Sequence, residues 1–461
     1  MPVYPTSRLR HRWWQTASAI ARPYLKSGGL TLNELAGTLD DYQAFGIDTL
    51  EIFAPCKGGT CYNGLDTLDY YQVDPAIGTL EDLRGLIEAA HIREMAVILF
   101  INLGYSHEQF PAFLKACDDV RAGVDSPAAR WFCWSESGQD RMDRSLAPHF
   151  LNDAHGNWRW SERAQKYFWV KWEGEQGGHH LPQFNFSDPG WQAETRRIID
   201  FWLKTGIDGM VIDAVNWYVG CNWEITRYSM TDLLKQANNQ FCQPEGAGGF
   251  EDDPLPWITQ GGFNCIMDYE IKKWWQGRDL VRQAILTGDA RPIEAALHRY
   301  RDRVTAAGGV CYIDPPDLHD QPLAARLLGA ATVATMGELL ILIGDPLQEP
   351  DEAYRQGLSR LLAARRQYPA LCASAARQQL PTQDDRRFYA FLRSLPHQKL
   401  LVTLNFQPEP QPVQVALSGD LPTSLIDIFT GEVIPVNTGE IEVHLHAFGY
   451  KILLFNYPRH M

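Results

Sequence analysis

The chain has 461 residues, 45% of them hydrophobic, and a formal net charge of −14 at pH 7; this length suits two or three domains with a large core. An acidic surface repels phosphate backbones and anionic lipids, so nucleic acid and membrane partners are not expected. The nine cysteines show neither zinc spacing nor a dense disulfide framework, and the N-terminus lacks the apolar stretch of a signal peptide, which predicts a cytoplasmic protein.

Short apolar strands alternate with amphipathic helices along much of the chain. The first predicted strand, helix and strand in this series are "GIDTLEIFAP" (46–55), "TLEDLRGLIEAAHIREM" (79–95) and "AVILFIN" (96–102). Later examples are the helix "WQAETRRIIDFWLKTG" (191–206) and the strands "GMVIDA" (209–214) and "ELLILIG" (338–344). With no glycine-rich nucleotide loop, this alternation predicts a (β/α)8 TIM barrel of residues 1–102 and 186–368 rather than an open doubly wound sheet.

Two other segments depart from this alternation. Residues 103–185 are rich in Trp, Gly and charged residues and are predicted to form an inserted lobe. Residues 369–461 change to a period of two, in runs such as "RFYAFLRS" (387–394) and "KLLVTLNF" (399–406), separated by turn residues. That pattern predicts a C-terminal antiparallel β-sandwich.

One acidic residue stands at the end of a buried strand. Asp213 follows the apolar run Met210–Ile212. In a barrel the loops after the strands share one face, where functional residues gather. Asp213 is therefore predicted to face the functional site.

Several ordered stretches resemble the α-amylase family, glycoside hydrolase family 13, and most closely its exo-acting oligosaccharide α-glucosidases. They include "YNGLDTLDYYQVDPAIGTLEDLRGLIEAAHIREMAVIL" (62–99), "SHEQFPAFLKACDDVRAGVDSPAARWFCW" (106–134) and "LPQFNFSDPGWQAETRRIIDFWLKTGIDGMVIDAV" (181–215). The resemblance implies a barrel with a lobe inserted after the third strand and a C-terminal β-sandwich. It also implies retaining hydrolysis by two carboxylates.

The resemblance assigns catalytic roles to particular acids. Asp213 matches the nucleophile, and Glu245 in "FCQPEG" (241–246) matches the acid/base, with Pro244 where the family has Gly. The family also has a third catalytic acid, which holds the sugar in its distorted form. The resemblance places it in "VCYIDPPDLHDQPLAARLLG" (310–329). Strand length favours Asp317 and the preceding histidine favours Asp320, so both stay open.

The cleavage subsite departs from the family pattern. Val211 replaces an Arg that keeps the nucleophile ionised, while Phe100 and Tyr105 replace an Asp and a His. Leu65 replaces a stacking Tyr. The implied substrate-binding residues are Asp66, Tyr62, Tyr105, His107, Asn216, Trp217 and His319.

The resemblance implies a retaining α-glycoside hydrolase or transglycosylase acting on short oligosaccharides or glucosides through an atypical subsite. The lost charged residues also fit a catalytically inactive amylase-like protein that binds a carbohydrate or another protein. A third possibility is a sucrose or disaccharide isomerase, which differs from a hydrolase in how well water is excluded. No cofactor and no metal are expected, and the expected partner is a small carbohydrate.

Overall fold

The computed structural model describes residues 12–139, 157–173, 179–215, 218, 240–249, 253–273 and 276–457, without the side chains of residues 172 and 173. These residues fall into two compact units: the first holds Arg22–Asp40 and Leu50–Met267, and the second holds Arg12–Ala21, Asp41–Thr49 and Asp268–Met461. Among the described residues, no helix combines the length and apolar character needed to cross a bilayer.

The helices and strands follow in chain order. Up to residue 139 they are β1 (Ala19–Arg22), α1 (Leu25–Gly28), α2 (Leu32–Gly37), α3 (Leu39–Phe45), β2 (Thr49–Phe53), β3 (Cys56–Gly58), β4 (Thr67–Val73), α4 (Leu80–Ile92), β5 (Ala96–Ile101), α5 (Pro111–Arg121), α6 (Pro127–Arg130) and β6 (Trp134–Ser135). From 157 to 267 they are β7 (Trp158–Ser161), β8 (Lys166–Glu173), β9 (His180–Pro182), α7 (Pro189–Leu203), β10 (Gly209–Ile212), β11 (Phe241–Pro244), α8 (Leu255–Thr259) and β12 (Cys265–Met267). From 268 to 371 they are β13 (Lys272–Lys273), β14 (Arg278–Asp279), α9 (Leu280–Thr287), α10 (Arg291–Arg299), α11 (Arg301–Ala306), β15 (Val310–Ile313), α12 (Leu323–Thr335), β16 (Leu339–Ile343) and α13 (Glu352–Gln367). The last strands are β17 (Ala376–Leu380), β18 (Phe388–Leu395), β19 (Gln398–Asn405), β20 (Gln411–Ala416), β21 (Ser424–Asp427), β22 (Val433–Pro435), β23 (Glu440–Leu445) and β24 (Tyr450–Asn456).

An eight-stranded parallel sheet forms the barrel. Its strand order is β11-β10-β5-β2-β1-β16-β15-β12. The two end strands, β11 and β12, lie close together. The N–H of Asn264, which directly precedes β12, donates to the carbonyl of Cys242 in β11 at 3.2 Å. Strand β5 is buried along its whole length, as expected for a strand covered on both faces. The structure thus confirms the predicted (β/α)8 barrel.

Local sequence signals explain where several elements begin. Thr31 and Thr79 each form a capping box that starts a helix, and Asp188 caps α7 ahead of Pro189. A Cβ atom at Gly209 would lie 2.3 Å from the carbonyl oxygen of Phe241, so glycine allows β10 to lie close against β11.

A small separate sheet lies within the predicted lobe. Strands β6, β8 and β7 pair in that order, and β9 pairs with β8. Trp158 and Trp169 pack edge to face with ring centroids 5.2 Å apart and join Cys133 in a small core. Cys133 is disulfide-bonded, whereas the thiols of Cys56 and Cys117, for example, are free and buried.

The C-terminal strands form antiparallel sheets. One sheet has the order β17-β18-β19-β24-β21-β22, and β20 pairs with β23. Apolar side chains from both sheets, such as Leu401, Val413 and Val443, share one core. This confirms the predicted C-terminal antiparallel β domain, whereas the predicted domain boundaries stay predictions.

Candidate active site

Two neighbouring strands bring Asp213 and Glu245 together. Asp213 follows β10 and Glu245 follows β11, and the parallel register pairs Ile212 with Pro244. The N–H of Glu245 donates to the carbonyl of Ile212 at 2.9 Å, and the N–H of Val215 donates to the carbonyl of Glu245 at 3.0 Å. The two acids therefore leave adjacent strands at the same level of the barrel.

A strained backbone position lies between these acids. Ala214 has φ +45°, in the left-handed region that disfavours residues with a Cβ atom. Its N–H donates to Oε2 of Glu245 at 2.9 Å. The turn after Asp213 thus fixes the Glu245 carboxyl group beside the Asp213 loop.

Burial sets the protonation of both acids. Asp213 is 7% exposed, and burial raises its pKa, while the positive charge of Lys171 opposes that shift. Burial and the negative charge of Asp213 raise the pKa of Glu245 to about 7. Near neutral pH the site can therefore present a protonated carboxyl group next to a carboxylate, the arrangement that an acid and a nucleophile need.

A lysine from the lobe reaches this site. Lys171 in β8 is 0% exposed, and its Nζ donates to the carbonyl of Ala214 at 3.4 Å. The ammonium lies 5.1 Å from the ring centroid of Tyr105 and 6.0 Å from that of Tyr218. Burial lowers the pKa of Lys171 to about 8, and the charges of Asp213 and Glu245 oppose that shift. Sequence reasoning missed this residue, although a lysine within the apolar run of β8 was a visible signal.

One apolar replacement in the subsite, Phe100, lies beside a different ion pair. Phe100 packs on Phe53 with ring centroids 4.6 Å apart, and the guanidinium of Arg22 lies 4.8 Å above the Phe100 ring. Arg22 also bonds to the fully buried carboxylate of Glu51. The positive charge of Arg22 makes a smaller contribution to lowering the pKa of Asp213. Sequence reasoning missed this pair too, although Glu51 interrupts an otherwise apolar strand.

Asp66 lies in a cluster with two histidines. It is 0% exposed, and its Oδ2 lies 2.7 Å from Nε2 of His179 and 4.0 Å from Nε2 of His107. The two imidazole rings stack with centroids 3.9 Å apart. Burial raises the pKa of Asp66 and lowers that of His107. His179 was not predicted.

The Asp66 cluster has a donor set that a metal ion could use, since its three ligand atoms lie within 4.8 Å of one another. However, Nδ1 of His107 accepts the N–H of Gln109 at 2.8 Å. The neutral ring then carries its proton on Nε2, so this nitrogen has no lone pair with which to bind a metal ion beside Asp66. The cluster therefore fits a carboxylate hydrogen-bonded to His179, with His107 stacked on that ring, better than a metal centre.

The loop after β5 fixes Tyr105. Nδ2 of Asn102 donates to the carbonyls of Leu65 and Tyr105 at 2.9 and 2.7 Å, and its Oδ1 accepts the N–H of Gly104 at 2.8 Å. Tyr105 is fully buried, and Tyr62 is near enough to affect its pKa. The structure thus brings Tyr105 towards Asp213 and Tyr62 towards Tyr105.

The candidates for the third acid lie in the second unit and are exposed. Asp320 is held by Arg282 through two hydrogen bonds of 2.8 Å, and that contact lowers its pKa well below the usual range. Asp317 and His319 line a cavity of about 400 Å³ together with Lys272 and other residues.

Another acid of that segment was not predicted. Asp314 directly follows β15, is half-buried and bonds to the ammonium of Lys272. Its position at a strand end could have marked it. The predicted substrate-binding residues Asn216 and Trp217 lie outside the described residues.

Comparisons with known proteins agree with this architecture. Residues 32–246 match the family model "Alpha amylase, catalytic domain", and residues 377–452 match "Maltogenic Amylase, C-terminal domain". An α-glucosidase of Schizosaccharomyces pombe is 26% identical over 224 residues, 47% of this chain and 37% of that protein. A trehalose synthase of Pimelobacter sp. is 30% identical over 185 residues, 39% of this chain and 30% of that protein. The matched segments span about a third of these relatives.

The fold is also similar to that of solved enzymes. The isomaltulose synthase of Erwinia rhapontici NX5 superimposes with a TM-score of 0.75 at 15% identity, covering 99% of this chain and 100% of that one. At such low identity the likeness concerns the fold. Together with the two matched domains, it confirms the predicted resemblance. Residues 32–246 thus match the α-amylase catalytic domain, and the chain resembles the α-amylase family.

Proposed function

We propose that the protein is a retaining α-glycoside hydrolase or transglycosylase that acts on short oligosaccharides or glucosides. The observation that carries this proposal is the pair formed by Asp213 and Glu245, in which burial and the charge of Asp213 raise the pKa of Glu245 to about 7. Buried acids with perturbed pKa values at adjacent strand ends are typical of active sites. The match of residues 32–246 to the α-amylase catalytic domain supports the same conclusion.

In this proposal each acid has one role in two steps. Asp213 attacks the anomeric carbon while Glu245 gives its proton to the departing glycosidic oxygen. Glu245, now ionised, then removes a proton from water or from a second sugar hydroxyl, which attacks the glycosyl–Asp213 ester and restores the acid. Two displacements retain the anomeric configuration.

The remaining predicted residues fill supporting roles. Asp66 and His107, with the neighbouring His179 that was not predicted, would bind hydroxyl groups of the terminal sugar, and Tyr62 and Tyr105 would pack against its ring. Asp317 or Asp320 would be the third acid. Asp317 is the better candidate of the two, because Asp320 is already held by Arg282.

An isomerase remains the second candidate function. Two relatives carry names that denote disaccharide synthesis, trehalose synthase and isomaltulose synthase, and the latter has been solved "in complex with its natural substrate sucrose". Asp213 is 7% exposed, and this burial would limit water during the life of the covalent intermediate. For either function we also propose a cytoplasmic location and a small carbohydrate as the partner.

The proposal is tested by turnover and product analysis. The protein is incubated with aryl α-glycosides, maltose, isomaltose, trehalose and sucrose, and the products are followed by NMR. We expect release or transfer of a sugar with the α configuration. We expect Asp213→Asn to abolish this turnover. Isomeric disaccharides as the main product would identify the isomerase. Binding of a sugar without turnover of any substrate would instead identify an inactive carbohydrate-binding protein.

A further inference from the structure

We propose that Lys171 is a positioning residue of the active site, which holds Asp213 in its ionised, attacking form from the inserted lobe. This inference rests on the proposed function and deepens it. Asp213, Glu245 and Lys171 belong to one compact unit, and Lys171 comes from a different sheet than the two acids.

The contacts of Lys171 fix its ammonium group beside the nucleophile. Its Nζ donates to the carbonyl of Ala214, the residue that follows Asp213. The N–H of the same Ala214 donates to Glu245. One strained peptide segment therefore links the lysine to both acids. A full positive charge buried at this place must be matched by negative charge, which the two carboxylates provide.

The other charged and titratable groups described around the ammonium do not supply the same positive charge to Asp213. Tyr105 and Tyr218 face it with their rings, and burial raises the pKa of both hydroxyls well above the usual value. Arg22 acts on Asp213 more weakly than Lys171 does and is already bonded to Glu51. Strand β10 itself contributes no cation, since it consists of Gly209–Ile212.

This role makes a specific prediction for the dependence of kcat/KM on pH. Removing the ammonium in Lys171→Met raises the pKa of Asp213, so the acidic limb of the profile moves upward by about one pH unit or more. Lys171→Arg keeps a charge and restores most of the wild-type limb. Lys166→Met is the matched control, because Lys166 lies in the same strand but pairs with the exposed Glu136. A lysine that only stabilises the fold would lower the stability of Lys171→Met without moving the limb, and that result overturns the inference.

A second measurement does not depend on turnover. With ¹³C-labelled lysine, NMR reports the titration of Lys171, assigned by its absence in Lys171→Met. We expect a midpoint near pH 8 in the wild type and a lower midpoint in Asp213→Asn, because the carboxylate charge is lost. Equal midpoints in both proteins contradict the inference even if the wild type turns over substrates. If no glycoside is turned over but the midpoint shifts, the proposed function fails while the charge coupling stands.

Discussion

The raised pKa of Glu245 leads to a quantitative prediction for stability. The pKa is about 7 in the folded protein, compared with 4.5 for an ordinary glutamate. Between these two values the folded state binds more protons than the unfolded state, so stability falls as the pH rises. A difference of about 2.5 pH units corresponds to about 3 kcal/mol, lost between pH 4.5 and pH 7.

Glu245→Gln removes this dependence, because the amide does not ionise. We expect the variant to be about as stable as the wild type near pH 4.5 and up to about 3 kcal/mol more stable at pH 8. The neutral side chain also ends the repulsion with Asp213. Urea unfolding at several pH values, followed by circular dichroism, measures the difference.

A matched control separates this effect from general surface charge. Glu88 is an exposed carboxylate on α4, so Glu88→Gln is expected to give the same difference from the wild type at every pH. If Glu245→Gln behaves like Glu88→Gln, or if the stability difference grows towards acidic pH, folding does not raise the pKa of Glu245.

Three further predictions follow from the surroundings of the site. Arg22→Met leaves Glu51 buried without its cation and is expected to lower the free energy of unfolding in urea by about 3–5 kcal/mol. Arg163→Met, which breaks an exposed pair with Asp118, is expected to lower it by less than about 1 kcal/mol. Equal losses contradict the assignment of a buried pair. Ala214→Gly relieves the left-handed strain and is expected to raise the free energy of unfolding by about 1 kcal/mol, once the entropy cost of glycine is subtracted; an unchanged or lower value rules the strain out. Asp317→Asn is expected to lower kcat by about 100-fold or more, and Asp320→Asn by far less, because Arg282 already holds Asp320; the reverse order assigns the third acid to Asp320.

The strand ends were the most predictable feature of the molecule. The alternation of apolar strands with helices predicted the barrel, and the acids after β10 and β11 marked the site, because parallel strands present their carboxyl ends on one face. The period of two likewise predicted the C-terminal sheets. These features follow from local patterns that one sequence displays.

The electrostatic partners of the site were not predictable in the same way. Lys171, Arg22 and His179 come from separate segments, and only folding places them beside the acids. Each was visible as a polar residue in an unexpected place, but its partner could not be read from spacing. The third acid stayed undecided for a related reason, since two registers of the segment after β15 fit the family pattern.

Covalent labelling would identify the carboxylate that attacks the sugar in the proposed mechanism. The protein is treated with a fluorinated α-glycosyl fluoride, digested and examined by mass spectrometry. We expect one glycosyl group per protein, attached to Asp213, with no label in Asp213→Asn. A label on another residue, or turnover that persists in Asp213→Asn, would contradict the proposed mechanism.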